Sequence, residues 1–167
     1  YGDGGAVFTN NKDYAKKLKN LRVHGQTKKN YHKYIGIGGR LDTLQAAVLL
    51  AKLKFFSKEL KKREKIASYY TKKLSNILKT PTVKPNNTST WAQYTISSKD
   101  RDIIINEFKK KKIPMSVFYP VPLHLQECFK FLNYKKGDFP ISEKMSNEVV
   151  SLPINPFLTF DQIDYII

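Results

Sequence analysis

The stretch "GIGGRLDTLQAAVLLAKLKFF", residues 36–56, decides the fold. Three glycines precede an arginine, and an aspartate then stands three residues before a glutamine. Asp42 with Gln45 fits a capping box, in which each residue satisfies a free backbone N–H of the other at a helix start. From Leu44 to Phe56 the residues are apolar on nearly every side of a helical wheel, which predicts a buried helix. From Ser57 the pattern becomes one-sided, with Leu60, Ala67, Tyr70, Leu74 and Ile77 or Leu78 on one face. The helix is expected to run to about Leu78, roughly 50 Å at 1.5 Å per residue. A rod that changes from buried to one-sided along its length is expected to leave one lobe and brace another.

Outward from this rod, "GAVFT" at residues 5–9 reads as a short buried strand. Asn10 or Asn11 can cap a helix whose Tyr14, Leu18 and Leu21 form one apolar stripe. Gly25 stands where a left-handed helix cap belongs. A loop from Gln26 to about Gly39 carries Tyr31, His32 and Tyr34. Beyond the rod, "TPTVKPNNTST" is a polar loop. "WAQYTIS" reads as a strand, "DRDIIINEFKKKK" as a helix capped near Asp100, and "MSVFYPVP" as a second strand, together a β-α-β unit. Residues 141–150 read as a short helix, and Thr159 with Gln162 as the capping box of a last one. The fold class is α/β.

The bulk numbers limit the functions available. The chain has 167 residues, a hydrophobic content of 41%, and ten Phe and ten Tyr, enough for a core. No apolar run reaches the roughly 18 residues that span a bilayer, since Lys52 and Lys54 break the longest. One cysteine, Cys128, allows no internal disulfide, so the cytoplasm is the default location. Cys128 lies in "LQECFKFL" and reads as a packed thiol. The net charge of +16 suggests an anionic partner. Lysine dominates it, however, and falls on helix faces, so most of it reads as solvated surface. A basic nucleic-acid-binding module is the alternative, without an RRM, KH or zinc motif to support it.

The chemistry-bearing residues are few. "YGDGG" matches neither a P-loop nor G-x-G-x-x-G. His24, His32 and His124 lack metal-ligand spacing, and no nucleophile elbow is present. "GIGGRLD" offers backbone N–H groups at a helix mouth and Arg40 for a phosphate or carboxylate. "FYPVPLH" places Tyr119 and His124 around two prolines, which stiffen the segment. It reads as a cleft wall or a surface loop.

The order "YGDGGAVFTNN", "RVHGQ", "YHKYIGIGGRLDTLQAAVLLAKL", "MSVFYPVPLHLQ" and "GDFPISEKMSNEVVSLPINPFLT" resembles the DegT-type (DegT/DnrJ/StrS) sugar aminotransferases. These are pyridoxal 5'-phosphate enzymes of the aspartate-aminotransferase fold, fold type I. The resemblance implies the C-terminal part of such an enzyme. Residues 1–40 would be a remnant of the large cofactor-binding domain, 41–79 a long interdomain helix, and 80–167 a small α+β domain. The Schiff-base lysine would lie before Tyr1, leaving no catalytic residue here, no stable cofactor binding, and no activity in this piece alone. An inactive regulatory relative is a further alternative.

The resemblance also implies site residues and partners. Arg40 matches an arginine that contacts the nucleotide-sugar. Many relatives have an Asn two residues earlier, touching the cofactor phosphate across a dimer interface. Here that position is Gly38, and the Gly38 and Gly39 amides would take its place. Tyr119 aligns with an aromatic lining the sugar site, His124 follows in the same loop, and Phe118 stands where relatives can have His. The implied reaction moves an amino group, typically from glutamate, to a keto group of a nucleotide-linked sugar. The implied assembly is a homodimer with no membrane partner.

Overall fold

The computed structural model describes residues 2–167, so Tyr1 of the opening glycine stretch lies outside the described residues. The chain divides into two compact units, Tyr1–Phe56 and Ser57–Ile167.

In the first unit, helix α1 (Lys12–Leu21) starts at Asn11, whose side chain accepts from the N–H groups of Asp13 and Tyr14. Its stripe forms but stays largely open, with Tyr14 64% exposed. Residues 5–9 are not a strand and lie exposed. A strand needs a partner ladder, and no described segment supplies one. The loop after α1 holds an unforeseen hairpin, β1 (Gln26–Lys28) against β2 (Tyr31–His32). It turns through Asn30 at φ +64°, a conformation asparagine tolerates.

Helix α2 (Thr43–Leu74) is 32 residues long, about 48 Å. At its start the Asp42 N–H donates to Gln45 Oε1 at 3.4 Å, one half of the capping box. The unit boundary falls inside this helix. The apolar half is not buried: Leu44, Leu50 and Leu53 are 78%, 66% and 61% exposed. The amphipathic half buries Ile66, Ala67, Tyr70 and Leu74, while Ile77 turns outward.

In the second unit, β3 (Tyr94–Ser97) precedes α3 (Arg101–Lys110), and α4 (Pro140–Glu148) runs directly into β4 (Val149–Leu152). β4 pairs antiparallel with β3, Tyr94 opposite Leu152. Single bridges extend this ribbon on both sides, Lys79 to Ser97 and Ser116 to Ser151. The second strand expected at "MSVFYPVP" therefore shrinks to one bridge at Ser116. Pro120 and Pro122 have no N–H to donate, so pairing cannot continue along the segment. The expected β-α-β unit gives way to an antiparallel pair whose second member is β4. Asp100 precedes α3 without a side-chain cap, and Ser98 Oγ accepts from its N–H instead.

Thr159 and Gln162 make a full capping box at α5 (Phe160–Ile166), which buries Ile163 and Ile166. The core gathers α2, β3, β4 and α5: Ile66, Tyr70, Leu74, Trp91, Tyr94, Ile96, Val150, Leu152 and Ile163. Cys128 is exposed rather than packed. It lies in a 3-10 stretch, Glu127–Leu132, whose three-residue turns do not present the apolar face of an α-helix.

Candidate functional site

The glycines before Arg40 shape the first site. Gly25 has φ +72°, and Gly36 packs so close that a Cβ would sit 2.3 Å from Gly25 N and 2.5 Å from Leu21 O. Glycine alone allows both. The returning loop is then tied to the end of α1. Ile37 N–H donates to Leu21 O at 2.8 Å, His24 N–H to Ile37 O at 2.9 Å, and Gly39 N–H to Arg22 O at 2.8 Å. Val23 and Gly38 face each other across this bridge. The Gly39 N–H is thus engaged within the loop. Gly38, between the bonded positions, directs its N–H away from the partner segment. Arg40 follows, exposed, three residues before the start of α2. Next to it the opening Gly2–Ala6 segment and Leu41, Gln45, Val48, Leu49 and Lys52 line a cavity of about 590 Å³.

The second site is the proline-stiffened strap at residues 118–126. Phe118, Tyr119, Pro120, Val121, Pro122 and Leu123 form one side of a cavity of about 410 Å³, and Ser142, Met145 and Val149 lie on the other. Tyr119 is 70% exposed. His124 does not line this cavity. It sits in a 3-10 turn, Leu123–Leu125, with its side chain 7% exposed and Nε2 3.0 Å from Glu143 Oε1. A carboxylate only accepts, so Nε2 carries the proton. Glu143 has no sequence signal linking it to His124, 19 residues away, and reading the sequence missed it.

The Gly137 N–H donates to the same Oε1 at 2.7 Å. This bond, helped by His124, lowers the Glu143 pKa below its ordinary 4.5. The lowered value means the folded state favours the charged form. The stability it brings is present above pH 4.5 and is lost as pH falls through the depressed value. Thermal melts of wild type and Glu143→Gln between about pH 3 and pH 6 should therefore converge at the acid end. Lys136 lines a small cavity with Glu143. Parallel curves throughout would show that the carboxylate is not engaged.

A pyridoxal-type cofactor needs a lysine amine in a desolvated pocket. Every lysine here is exposed. Lys73 has its pKa raised, first by the Tyr69 hydroxyl and then by Asp164, the opposite of what a Schiff-base amine needs. The described residues therefore do not fit the group on their own. Exposed lysines also account for much of the charge as solvated surface, some in ion pairs with Glu107 and Glu127. No helix among the described residues is long and apolar enough to cross a membrane.

A family model, the DegT/DnrJ/EryC1/StrS aminotransferase family, matches residues 1–167. The chain is 38% identical to a UDP-2-acetamido-2-deoxy-3-oxo-D-glucuronate aminotransferase of Pseudomonas aeruginosa, over 95% of this chain and 44% of that protein. It superposes on a DegT/DnrJ/EryC1/StrS aminotransferase from Brucella abortus with a TM-score of 0.87 and 38% identity, covering 95% of this chain and 43% of the other. It also superposes on the ntda protein of Bacillus subtilis, solved with the cofactor PMP bound, with a TM-score of 0.82 and 25% identity, covering 95% and 39%. The fold is that of part of a DegT/DnrJ/EryC1/StrS aminotransferase. The chain belongs to the DegT/DnrJ/EryC1/StrS aminotransferase family. It spans less than half the length of these relatives.

Proposed function

We propose that this chain is part of a cytoplasmic, homodimeric enzyme that moves an amino group, from glutamate, to a keto group of a nucleotide-linked sugar. The family match over residues 1–167 carries this reading. Residues 1–40 belong to the cofactor-binding domain in this view, 41–79 to the interdomain helix and 80–167 to the small domain. The cofactor, when bound, carries the amine and acts as the electron sink. Its lysine comes from outside the described residues.

What this chain contributes is binding and orientation. Arg40 offers a guanidinium for the diphosphate, a geometry suited to two-pronged contact with phosphate oxygens. The Gly38–Gly39 stretch faces the cofactor phosphate, Gly38 through its N–H and Gly39 by fixing the loop. Tyr119 lines the sugar pocket, and His124 fixes the turn beside it.

The test uses the longer protein that carries this chain, supplied with pyridoxal phosphate, glutamate and a UDP- or dTDP-linked keto-sugar. Release of 2-oxoglutarate that depends on the sugar is the expected result. Its absence with every keto-sugar tried sinks the reading. Arg40→Ala should raise KM for the nucleotide-sugar about ten- to a hundredfold, the loss of one charged hydrogen-bonding partner. Tyr119→Phe should raise it only a few-fold. An Arg40→Ala enzyme with wild-type KM would remove Arg40 from the site.

A further inference from the structure

Glu143 joins three segments that are distant in sequence. It stands in the first turn of α4. Its Oε1 accepts from the Gly137 N–H at 2.7 Å and from His124 Nε2 at 3.0 Å. The His124 and Glu143 side chains are 7% and 14% exposed, so water does not readily replace either partner. The His124 ring also lies 4.8 Å from the Phe139 ring, at the start of the same helix. The turn at 123–125, the turn at Gly137 and the head of α4 therefore meet on one oxygen.

The strap lies next to this junction. Pro120, Val121 and Pro122 border a cavity of about 260 Å³ together with Glu143 and Lys136. The same three residues border the larger cavity that carries Tyr119. Within the segment, Gln126 Nε2 donates to Val121 O at 3.3 Å. Its prolines donate no backbone hydrogen bonds, so its position depends on its two ends, the Ser116–Ser151 bridge before it and the His124 turn after it. The end held by Glu143 is His124, two residues beyond Pro122. The far wall of the Tyr119 cavity comes from α4 itself, through Ser142 and Met145. Glu143 sits between those two residues and ties α4 to the strap opposite.

We propose that Glu143 is a positioning residue for the nucleotide-sugar pocket: through His124 it sets the distance between the Tyr119 strap and α4. It touches no substrate. This inference rests on the reading of Tyr119 given above, and the experiment separates the two. In the longer protein, Glu143→Ala should raise KM for the nucleotide-sugar about tenfold or more, as misplacing a substrate-positioning element does. KM for glutamate should stay at the wild-type value, since the amino donor reacts without the sugar. Amide exchange in peptides covering residues 118–126 should speed up in the same variant.

Glu143→Gln keeps an oxygen for both donors and should restore most of the sugar KM. His124→Asn should mimic Glu143→Ala, and the double variant should add little, because both changes remove one interaction. If Glu143→Ala does not fold, Glu143→Gln and His124→Asn carry the test. Unchanged exchange at 118–126 overturns the clamp. Faster exchange with an unmoved sugar KM overturns the positioning role and leaves only a structural tie. Equal rises in KM for sugar and glutamate overturn it too. An unaltered protein that turns over no nucleotide-sugar overturns the reading of Tyr119, while the exchange rates still decide the clamp.

Discussion

Tyr70→Ala should lower the stability of the Ser57–Ile167 unit by about 3–5 kcal/mol, the range for removing a large buried ring. Tyr70 is fully buried on α2. Its ring stacks on Tyr94 at 5.0 Å, and its hydroxyl donates to Pro153 O at 3.0 Å. One side chain thus joins the rod, β3 and the segment leaving β4. Truncation to alanine opens a cavity and leaves the Pro153 carbonyl without its partner. Tyr70→Phe keeps the ring and should lose only about 1 kcal/mol, the net worth of the hydrogen bond. Burial pushes the Tyr70 pKa well above its ordinary 10. The folded state therefore resists ionisation that the unfolded state permits, and stability should fall as pH rises past 10. The phenylalanine variant should lose that part of the alkaline slope. Urea unfolding followed by tyrosine and tryptophan fluorescence measures all three. A Tyr70→Ala loss below about 1 kcal/mol would mean that α2 does not pack on this sheet.

The buried stripe behind this result was legible because a helix carries its signal in its own spacing. Ala67, Tyr70 and Leu74 recur at helical intervals whatever they pack against. Caps are equally local, and Asn11, Thr159 and Gln162 act as their spacing predicts. Strands were less legible, because a strand exists only with its partner. "GAVFT" has the right residues and no described neighbour to pair with. "MSVFYPVP" has the apolar content, but its prolines limit it to the bridge at Ser116. "EVV" at residues 148–150 reads as the end of the helix expected over 141–150, yet β-branched Val149 and Val150 pair with Ser97 and Ile96. Burial of Leu44–Phe56 was expected from hydrophobicity, which records what a face would favour and not what covers it.

The candidate site divides in the same way. Arg40 and Tyr119 were visible as an arginine after glycines and a phenol between prolines, and resemblance to a family gave them roles. Glu143 was invisible because its importance lies in where its oxygen points. His124 was expected beside the sugar site, and its imidazole is turned into the protein, toward that oxygen.

The second large effect is expected at Gly36, which never touches a ligand in this reading. Its Cα runs against the backbone at the end of α1, so the added methyl of Gly36→Ala would meet Gly25 N, Leu21 O and His24 C, all within 2.7 Å. None of these is the movable end of a side chain. The loop must lift off, breaking the bonds from Ile37 to Leu21 and from Gly39 to Arg22 that aim the chain toward Arg40. Overpacking of this kind costs about 1–3 kcal/mol where the structure can shift. The released segment carries Lys28, Lys29 and Lys33, so trypsin should cut there at least about tenfold faster, following the rise in the open population. In the longer protein the nucleotide-sugar KM should rise although Arg40 is intact. Gly39→Ala provides the control. Its new methyl would meet chiefly the Ile37 Cδ1 atom at 3.1 Å, the tip of a side chain that can rotate away. It should leave the cleavage rate near wild type. If the two variants are cut equally fast, the close crossing of Gly36 over Gly25 is not what holds Arg40 in place.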